Sequence, residues 1–491
     1  MALSERAAAL IATLPSGLLI DGEWRASSTG ETLPVHDPAT DEVLTEVADA
    51  SADDARAAFD AACAAQESWG RSSTRQRADI LWTAYRTILE RRDDFAHLMT
   101  LEMGKPLAEA RGEVVYGAEF LRWAAEQASH VTGSYAPAPD GGLRLLVARR
   151  PVGPCYLVTP WNFPLAMATR KIAPALAAGC AMVVKPAQLT PLTTCLLAQI
   201  LQDAGLPAGV LNVVVASSAA RVSEPILDDP RLRKLSFTGS TAVGRSLGRR
   251  AADQVLRVSL ELGGNAPLLV FDDADLDQTV AQALAAKLRN GGQACTAANR
   301  FYLQRGIAEA FAQRFAQAVA AVRVGPGVEP GVGCGPLIDR AARERVAALV
   351  DQAVAQGAKA LVGGRRLDGP GHFYAPTVLT EVPAWADVVR QEIFGPVAAL
   401  QTFADEDEAV RLANDTPQGL MSYVFTADWK RILRLPERLE SGLVAVNTGV
   451  ISNPAAPFGG VKQSGLGREG GAEGIGEYLE TQYIGLANPW A

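Results

Sequence analysis

The chain has 491 residues, 48% of them hydrophobic, and a formal net charge of -8 at pH 7. A single hydrophobic core seldom serves more than about 300 residues, so we expect two large domains with a small appendage. The acidic balance, and the lack of any Lys/Arg run, argue against binding to nucleic acid or to anionic membranes.

The sequence pattern predicts neither a membrane anchor nor a metal centre. No window approaches about 18 consecutive apolar residues, and the N-terminal stretch carries Glu5 and Arg6, unlike a signal peptide. The six cysteines form no CxxC pair, and the four histidines form no pair with the spacing of metal ligands. We therefore expect no metal site, no disulfide framework and a cytoplasmic location.

The first third of the chain predicts two hairpins and a group of helices. Asp21–Gly22 lies between apolar residues and indicates the turn of one hairpin. Pro139–Asp140–Gly141 indicates a second turn, and residues 135–150 are interpreted as a hairpin that leaves the domain body. Ala, Glu, Arg and Leu at helical spacing predict helices at 61–69, 76–92, 93–103 and 108–126.

Strand-like and helix-like segments alternate from residue 152 to residue 264. This alternation is typical of βαβ units, which place helices on both faces of a mostly parallel sheet. Thr190 is predicted to cap a helix that has Pro191 at its first position. The predicted strands are 152–160, 181–186, 210–215, 234–238 and 255–262, and the predicted helices are 165–178, 190–205 and 241–253.

The second half alternates in the same way, with helices predicted at 281–287, 307–324 and 341–356. The expected fold class is therefore α/β, with a Rossmann-like open parallel sheet in a first domain and a second α/β domain. The expected boundaries are 1–133 with 151–264 for the first domain, 265–467 for the second, and 134–150 with 474–491 for a small bridging β segment.

Three polar residues stand out as candidates for chemistry, although each also has an ordinary structural interpretation. Cys295 follows two glycines, and a helix-like stretch after it would offer amide donors to a reacting oxygen; most lone cysteines are core residues. Glu261 ends a predicted strand beside two glycines; partial burial would raise its pKa and suit it to general-base work, although by itself it is more consistent with a surface carboxylate beside a turn. Asn162 lies in a strand-to-helix loop and is either an oxyanion donor or a helix cap.

A small-residue turn at 237–244 joins a predicted strand to a predicted helix. Backbone amides at such a helix start can hold a pyrophosphate. Gly239 and Gly244 are five residues apart, so the G-x-G-x-x-G dinucleotide fingerprint is absent. By itself the segment is equally consistent with a plain connecting turn.

Taken together, the ordered motifs resemble those of the aldehyde dehydrogenase superfamily, most closely its succinate-semialdehyde dehydrogenases. The resemblance covers essentially the whole chain. The motifs are PWNFP at 160–164, KPAQLTP at 185–191, FTGST at 237–241, LELGGN at 260–265, GQAC at 292–295, EIFGP at 392–396 and PFGG at 457–460.

The resemblance implies a catalytic role for each of the three candidates. Cys295 would be the nucleophile that forms a thioester, and the Asn162 side chain, with the Cys295 amide, would hold the oxyanion. Glu261 would activate the water that hydrolyses the thioester. Glu469, in GREGG, resembles a carboxylate that relays the proton.

The resemblance also implies a site for NAD or NADP. Relatives specific for NAD often carry Glu at position 188, whereas this chain has neutral Gln188, so we expect NADP to be tolerated and use of both cofactors to be plausible. The residues that match cofactor positions are Trp161, Lys185, Gln188, Gly239, Ser240, Glu392 and Phe394.

Arg170, Arg289 and Ser452 resemble the residues with which succinate-semialdehyde dehydrogenases hold the substrate carboxylate. Two guanidinium groups and a hydroxyl suit an anionic tail, whereas each arginine alone would suit a solvated helix face. Ala297 replaces the second cysteine that many of these enzymes carry, which weakens the match. Glutarate semialdehyde, 2-oxoglutarate semialdehyde and sulfolactaldehyde therefore stay open as alternative substrates.

Two other classes of protein on the same fold are less consistent with these residues. Coenzyme-A-acylating relatives typically lack the general-base carboxylate, which Glu261 supplies here. A non-catalytic binding or structural relative would not need Cys295, Glu261 and Asn162 together. Family likeness and the hairpin at 135–150 also imply a homo-oligomer, either a dimer or a homotetramer.

Overall fold

The structure is a computed structural model that describes residues 5–490 of the chain. Its N-terminal part forms two hairpins, a long helical group and the beginning of a third sheet. The helices are α1 (Glu5–Ala12), α2 (Ala52–Arg71), α3 (Thr74–Glu90), α4 (Arg92–Met103) and α5 (Leu107–Ala128). The strands are β1 (Leu18–Ile20), β2 (Glu23–Arg25), β3 (Thr32–His36), β4 (Val43–Ala48), β5 (Ser134–Pro137) and β6 (Leu143–Pro151).

The next part alternates strands with helices, as predicted. The strands are β7 (Cys155–Val158), β8 (Met182–Lys185), β9 (Leu211–Val213), β10 (Lys234–Thr238) and β11 (Arg257–Glu261). The helices are α6 (Pro164–Ala178), α7 (Leu192–Asp203), α8 (Ala219–Leu227) and α9 (Thr241–Asp253). The sequence analysis did not predict α8.

The remaining part contains a second α/β layer and the C-terminal strand. Its strands are β12 (Ala266–Val270), β13 (Ala298–Gln304), β14 (Lys359–Val362), β15 (Thr377–Thr380), β16 (Val397–Phe403), β17 (Gln418–Gly419), β18 (Met421–Phe425), β19 (Leu443–Val446), β20 (Val461–Lys462), β21 (Gly465–Leu466) and β22 (Leu479–Ala487). Its helices are α10 (Leu276–Leu288), α11 (Arg305–Ala320), α12 (Arg340–Ala355), α13 (Asp387–Arg390), α14 (Glu406–Asn414), α15 (Trp429–Arg438) and α16 (Gly471–Gly476).

The first sheet has eight strands in the order β2-β1-β9-β8-β7-β10-β11-β21. The five strands from β9 to β11 run parallel, and the outer strands β1 and β21 pair antiparallel to them. The strand order reverses direction along the chain between β7 and β10. Open α/β sheets bind ligands at the carboxyl ends of the strands at such a switch point.

The second sheet has seven strands in the order β14-β15-β16-β13-β12-β18-β19, and only β14 is antiparallel to its neighbour. Helices α10 and α11 pack on one face through residues such as Ala283 and Phe311, and α14 and α15 pack on the other through Ala409 and Leu435. Two parallel α/β layers with separate cores confirm the predicted fold class.

A third, three-stranded sheet joins distant parts of the chain. Its order is β22-β6-β5, and β22 pairs antiparallel with β6 from Leu479 opposite Pro151 to Ala487 opposite Leu143. Several large side chains on this sheet are exposed, among them Tyr135 at 64% and Tyr483 at 58%. The hairpin predicted at 135–150 is therefore present, and the C-terminal strand extends it.

The start of α7 differs from the sequence prediction. Thr190 does not cap this helix with its side chain, and the first helical residue is Leu192. Instead, the buried carboxylate of Glu102, from α4, accepts hydrogen bonds from the main-chain N–H groups of Leu192 and Thr193 at 2.8 and 3.0 Å. A side chain distant in sequence thus satisfies the donors that a local cap would satisfy.

Among the described residues, no helix combines the length and the apolar character that a membrane span requires.

We predict that Phe301→Ala will destabilise the second α/β layer. Phe301 is fully buried in β13, and its ring lies 5.3 Å from that of Phe315. Truncation should leave a cavity and lower the free energy of unfolding by about 3–5 kcal/mol. Urea-induced unfolding followed by circular dichroism measures the change. Leu433→Ala, at a position that is 64% exposed, is the control and should change stability by less than about 0.5 kcal/mol.

Candidate active site

A cavity of about 400 Å³ lies where the carboxyl ends of the first sheet face the second α/β layer. The cavity brings together candidate site residues from segments more than two hundred residues apart in the sequence. All of the predicted site residues line it except Lys185, Gln188 and Glu469. Those that line it are Trp161, Asn162, Arg170, Gly239, Ser240, Glu261, Arg289, Cys295, Glu392, Phe394 and Ser452.

Cys295 reaches the cavity through a sharply kinked turn. Asn290, Gly291 and Gly292 have consecutive positive φ angles of 56, 60 and 74°. A Cβ on Gly292 would lie 2.2 Å from the carbonyl oxygen of Gly395, so this approach of two backbones requires glycine. The expected helix after Cys295 is wrong, because the buried strand β13 follows at residue 298.

The Asn162 side chain lies in the loop between β7 and α6, as predicted. Its Nδ2 atom donates to the main-chain oxygen of Gln293 at 3.0 Å, two residues before Cys295. Its Oδ1 atom is buried and has no hydrogen-bond partner within residues 5–490. Asn162 does not cap α6 with its side chain, and Phe163 occupies the cap position. The amide therefore links the loop to the segment that carries the thiol.

Glu261 is the last residue of β11 and is 3% exposed. Neither of its carboxylate oxygens has a hydrogen-bond partner in the described part of the chain. Burial, followed by the negative charge of Glu469, raises the pKa of Glu261 to about 8, against the opposing effect of Arg170 and Lys171. A buried carboxyl group with such a pKa can exchange protons near neutral pH.

Glu469 lies behind the cavity wall instead of lining it. Its carboxylate accepts a hydrogen bond from Lys171 and lies 3.6 Å from the Arg170 guanidinium. Burial alone would raise the pKa of Glu469, but Lys171 and Arg170 together hold it below its usual value. Glu469 is therefore the ionised member of the pair that it forms with Glu261.

Arg170 is fully enclosed at one end of the cavity. Its Nη2 atom donates to the Tyr116 hydroxyl, and its guanidinium carbon lies 4.1 Å from the centroid of the Phe458 ring. Its Nε atom has no partner in the described residues. Burial would lower the pKa of Arg170, yet the contacts with Tyr116 and the nearby carboxylates hold it above its ordinary value. This arginine stays charged.

Arg289 and Ser452 lie on the same wall as Arg170. The Arg289 guanidinium carbon is 4.8 Å from the Phe163 ring centroid and 5.9 Å from that of Tyr116. No carboxylate within residues 5–490 pairs with it. Ser452 comes from the loop after β19 and borders the cavity beside it. Two cations and a hydroxyl set in an aromatic wall form a suitable surface for an anion.

The cofactor candidates divide into two groups. Trp161 and Phe394 form an edge-to-face pair with ring centroids 5.4 Å apart at the mouth of the cavity. Glu392 accepts the N–H of Gly264 at 3.2 Å, and burial raises the pKa of Glu392 to about 7. Gly239 and Ser240 lie between β10 and α9, where the Ser240 hydroxyl accepts the N–H of Val243 at 3.4 Å and caps the helix.

Lys185 and Gln188 lie further along the carboxyl edge of the first sheet. Lys185 is 5% exposed, and its ammonium has one acceptor among the described residues, the Pro186 carbonyl at 3.2 Å. Burial lowers the pKa of Lys185 to about 8. Gln188 is exposed, and its amide nitrogen, when turned toward them, reaches the carbonyls of Ala216 and Ser217 at 3.2 and 2.7 Å. An under-partnered cation beside an exposed amide fits the ribose or phosphate end of a dinucleotide.

Sequence analysis missed several residues that shape the site. Tyr116 lies on α5, and Lys171 is the partner of Glu469. Both have ordinary helical neighbours, so no local signal separates them from solvent-facing residues. Phe458 lies within the PFGG motif but was not assigned a role. Within the described residues no group of His, Cys, Asp and Glu side chains is arranged to hold a metal ion.

Comparison with known proteins agrees with the fold. A model of the aldehyde dehydrogenase family matches residues 24–484. The chain belongs to the aldehyde dehydrogenase family. A solved member, the betaine aldehyde dehydrogenase from Staphylococcus aureus in complex with NAD+, superposes with a TM-score of 0.96 at 34% identity, and the match covers 99% of this chain and 97% of that one.

Similar curated members of the family carry names of semialdehyde dehydrogenases. The succinate-semialdehyde dehydrogenase of Paenarthrobacter nicotinovorans is 58% identical, with 91% of this chain and 100% of that protein covered. The succinate-semialdehyde dehydrogenase [NADP(+)] GabD of Escherichia coli (strain K12) is 48% identical, with 95% and 96% covered. A 3-sulfolactaldehyde dehydrogenase of Pseudomonas putida is 49% identical, with 95% and 96% covered.

We predict that Glu261→Gln will speed alkylation of Cys295 only at alkaline pH. Burial, followed by the charge of Glu261, raises the pKa of the Cys295 thiol, while Arg170 and Arg289 lower it. Above the pKa of Glu261, about 8, the native carboxylate is charged and opposes thiolate formation. Below that pH it is already neutral, so the variant and the native protein should react alike.

Iodoacetamide labelling at pH 6 and pH 9, with mass-spectrometric readout at Cys295, measures this effect, because the thiolate is the reactive species. Glu46→Gln, at an exposed position in β4, is the matched control and should leave both rates unchanged. Faster labelling of the native protein at pH 9 would mean that Glu261 promotes ionisation of the thiol, contrary to this electrostatic arrangement.

Proposed function

We propose that the protein oxidises a small anionic semialdehyde, best succinate semialdehyde to succinate, with NAD or NADP and through a thioester on Cys295. The observation that supports this function most is the shared cavity, in which a thiol, a carboxamide and a carboxyl group meet beside an anion-binding wall. The names of the similar relatives agree with this substrate class.

In this proposal the Cys295 thiol releases its proton to solvent water, and the thiolate sulfur bonds to the aldehyde carbon. The carbonyl oxygen becomes negatively charged, and the Asn162 Nδ2 group and the Cys295 amide stabilise it by hydrogen bonding. Hydrogen-bond donors that are fixed in an enclosed site before the reaction stabilise such a charge more than water does. One donor of this kind commonly contributes about 10²–10³-fold to kcat. A dinucleotide held by Trp161, Glu392 and Phe394 would supply the hydride acceptor for that carbon.

Glu261 is proposed as the general base for the second half of the reaction. The ionised carboxylate takes a proton from water, whose oxygen attacks the thioester carbon and releases the acid and the Cys295 sulfur. Because the pKa of Glu261 is about 8, the base form is present above that pH and is lost as the pH falls through it. Glu469, held ionised by Lys171, is proposed to receive that proton from Glu261 as a relay.

The cofactor groove is proposed to accept either dinucleotide. Trp161, Gly239, Ser240, Glu392 and Phe394 line the catalytic end. At the far end, neutral Gln188 does not repel a 2′-phosphate, and Lys185 offers a positive charge. The relatives include one named for NADP(+) and a solved structure that holds NAD+, which is consistent with dual use.

The identity of the acidic tail depends on Arg170, Arg289 and Ser452. A carboxylate or a sulfonate would both pair with two guanidinium groups. Relatives named for glutarate semialdehyde and for 3-sulfolactaldehyde, at 47% and 49% identity, keep those substrates as alternatives, together with 2-oxoglutarate semialdehyde. Succinate semialdehyde is preferred because the relative at 58% identity carries its name.

The proposal includes the domain organisation expected from the sequence. Residues 1–133 with 151–264 would bind the cofactor, and residues 265–467 would carry the nucleophile. Residues 134–150 and 474–491 would join subunits of a dimer or homotetramer, since exposed Tyr135 and Tyr483 lie on their sheet. The scattered cysteines, all free in the described residues, suit the proposed cytoplasmic location.

We predict that Arg289→Gln will weaken binding of the anionic substrate selectively. Loss of a charge-assisted hydrogen bond should raise KM for succinate semialdehyde about 10–100-fold. For uncharged propanal KM should stay the same, since propanal has no anionic group. Production of NADPH or NADH with each aldehyde measures both values, and glutarate semialdehyde and 3-sulfolactaldehyde complete the panel.

Arg365→Gln, at an exposed position with no ion pair among the described residues, is the matched control and should behave as the native protein. If the native enzyme prefers propanal, or if Arg289→Gln affects both aldehydes equally, the anionic-tail assignment is wrong. The aldehyde dehydrogenase chemistry at Cys295 would be unaffected by that result.

A further inference from the structure

A buried ion pair lies beneath the loop that carries Asn162. Lys105, just after α4, and Glu113, in α5, are hydrogen-bonded to each other, and each side chain is 1% exposed. Both border a second cavity of about 620 Å³ that shares Tyr116 and Arg289 with the active site. Two charges at this depth are unfavourable unless further hydrogen bonds satisfy them.

The further partners of this pair all belong to one short segment. The Lys105 ammonium donates to the main-chain oxygen of Asn162 at 2.8 Å. One Glu113 oxygen accepts the main-chain N–H groups of Leu165 and Ala166 at 3.0 and 3.2 Å. The pair therefore fixes the residue that carries the carboxamide and the first turn of the helix that follows it.

The Asn162 side chain has little other support. Its amide nitrogen makes one hydrogen bond, to the Gln293 carbonyl, and its Oδ1 atom has no partner in residues 5–490. Asn290 reinforces the main chain from the other side, because its Nδ2 atom donates to the Asn162 carbonyl at 3.0 Å. The direction of the carboxamide thus depends on where the Asn162 main chain is held.

We propose that Lys105 and Glu113 are a positioning pair that holds the Asn162 carboxamide in place to stabilise the oxyanion. This inference rests on the proposed function, which assigns that role to Asn162. Neither charged group is assigned a contact with substrate. A displacement of about 1 Å at a reacting centre can reduce the rate by about 10²-fold. Loss of this main-chain support should therefore slow the chemical step and leave substrate binding nearly unchanged.

The test uses the double variant Lys105→Met/Glu113→Gln. Methionine preserves the length of the lysine stem without its charge, and the glutamine carbonyl can still accept the Leu165 and Ala166 N–H groups. Removing both charges avoids leaving one of them buried and unpaired. We expect the variant to fold and to lose about 10–100-fold in kcat, with KM for succinate semialdehyde and for cofactor changed less than about threefold. Propanal should show the same loss in kcat.

A double-mutant cycle with Asn162→Ala separates positioning from a general structural effect. Residues that act as a unit are strongly non-additive. In the Asn162→Ala background the charge-pair variant should therefore cause no further loss in kcat beyond about twofold. Lys105→Arg, which keeps a cation that can reach both partners, should recover most of the rate.

Glu102→Gln, at saturating cofactor, is the matched control. Glu102 is another buried carboxylate that accepts main-chain N–H groups at a helix start, but its hydrogen bonds within residues 5–490 go to Leu192 and Thr193 and not to the Asn162 loop. It should change thermal stability without changing kcat. If the double variant does not fold, Lys105→Gln/Glu113→Gln replaces it, because it also removes both charges and keeps a polar group at each position; its loss in kcat should again vanish when Asn162 is Ala.

Three results would overturn the proposal: an unchanged kcat in the folded variant, losses that add to that of Asn162→Ala, or a rise in KM confined to succinate semialdehyde. The last would mean that Lys105 contacts the acidic tail. Full activity of Asn162→Ala alone would instead contradict the proposed function, so the two failures are distinguishable.

Discussion

At the junction of the two α/β layers, several buried polar atoms have no hydrogen-bond partner in the described residues. The rest of the structure holds these atoms in place against that cost. Both oxygens of Glu261, Oδ1 of Asn162 and Nε of Arg170 are buried there without hydrogen bonds from the described residues. Each such atom commonly costs about 1–3 kcal/mol. A site with this cost persists only because rigid surroundings hold it, and the missing partners are those that a polar ligand supplies.

The rigid surroundings come from the sheet topology. Parallel strands bring their carboxyl ends to one edge, so the loops after β7 and β10 deliver Asn162 and Gly239 beside Glu261, the last residue of β11. The second layer meets this edge with the turn before β13, which carries Cys295. Glycines at 292 and 264 allow backbone to approach backbone at this junction, where a Cβ would lie 2.2 and 2.4 Å from a carbonyl oxygen.

Nearby charges shift the pKa values of two neighbouring carboxyl groups in opposite directions. Glu469 has Lys171 and Arg170 close by and stays ionised, whereas Glu261 has no direct cationic partner and its pKa rises to about 8. Two interacting acids with different environments suit the proposed roles of proton acceptor and proton relay. Arg170 contacts Glu469 and also lines the cavity, so the proposed function would link substrate binding and proton transfer electrostatically.

Much of the fold could be predicted from local patterns, because strand and helix signals alternate clearly. Helix α9 begins at Thr241 and ends at Asp253, as predicted, and Glu261 ends its strand. The errors arise where distant residues decide the local structure. Glu102 replaces Thr190 as the cap of α7, and a strand instead of a helix follows Cys295. The roles of Tyr116 and Lys105 depend on tertiary contacts that no local motif marks.

The central claim is that Cys295, Asn162 and Glu261 act in sequence on one carbonyl carbon. The most direct measurement is mass spectrometry of the Glu261→Gln variant after mixing with succinate semialdehyde and NADP. The account predicts one equivalent of NADPH followed by arrest, with an acyl group bound to Cys295. Continued turnover at the native rate, or an acyl group on another residue, would contradict it.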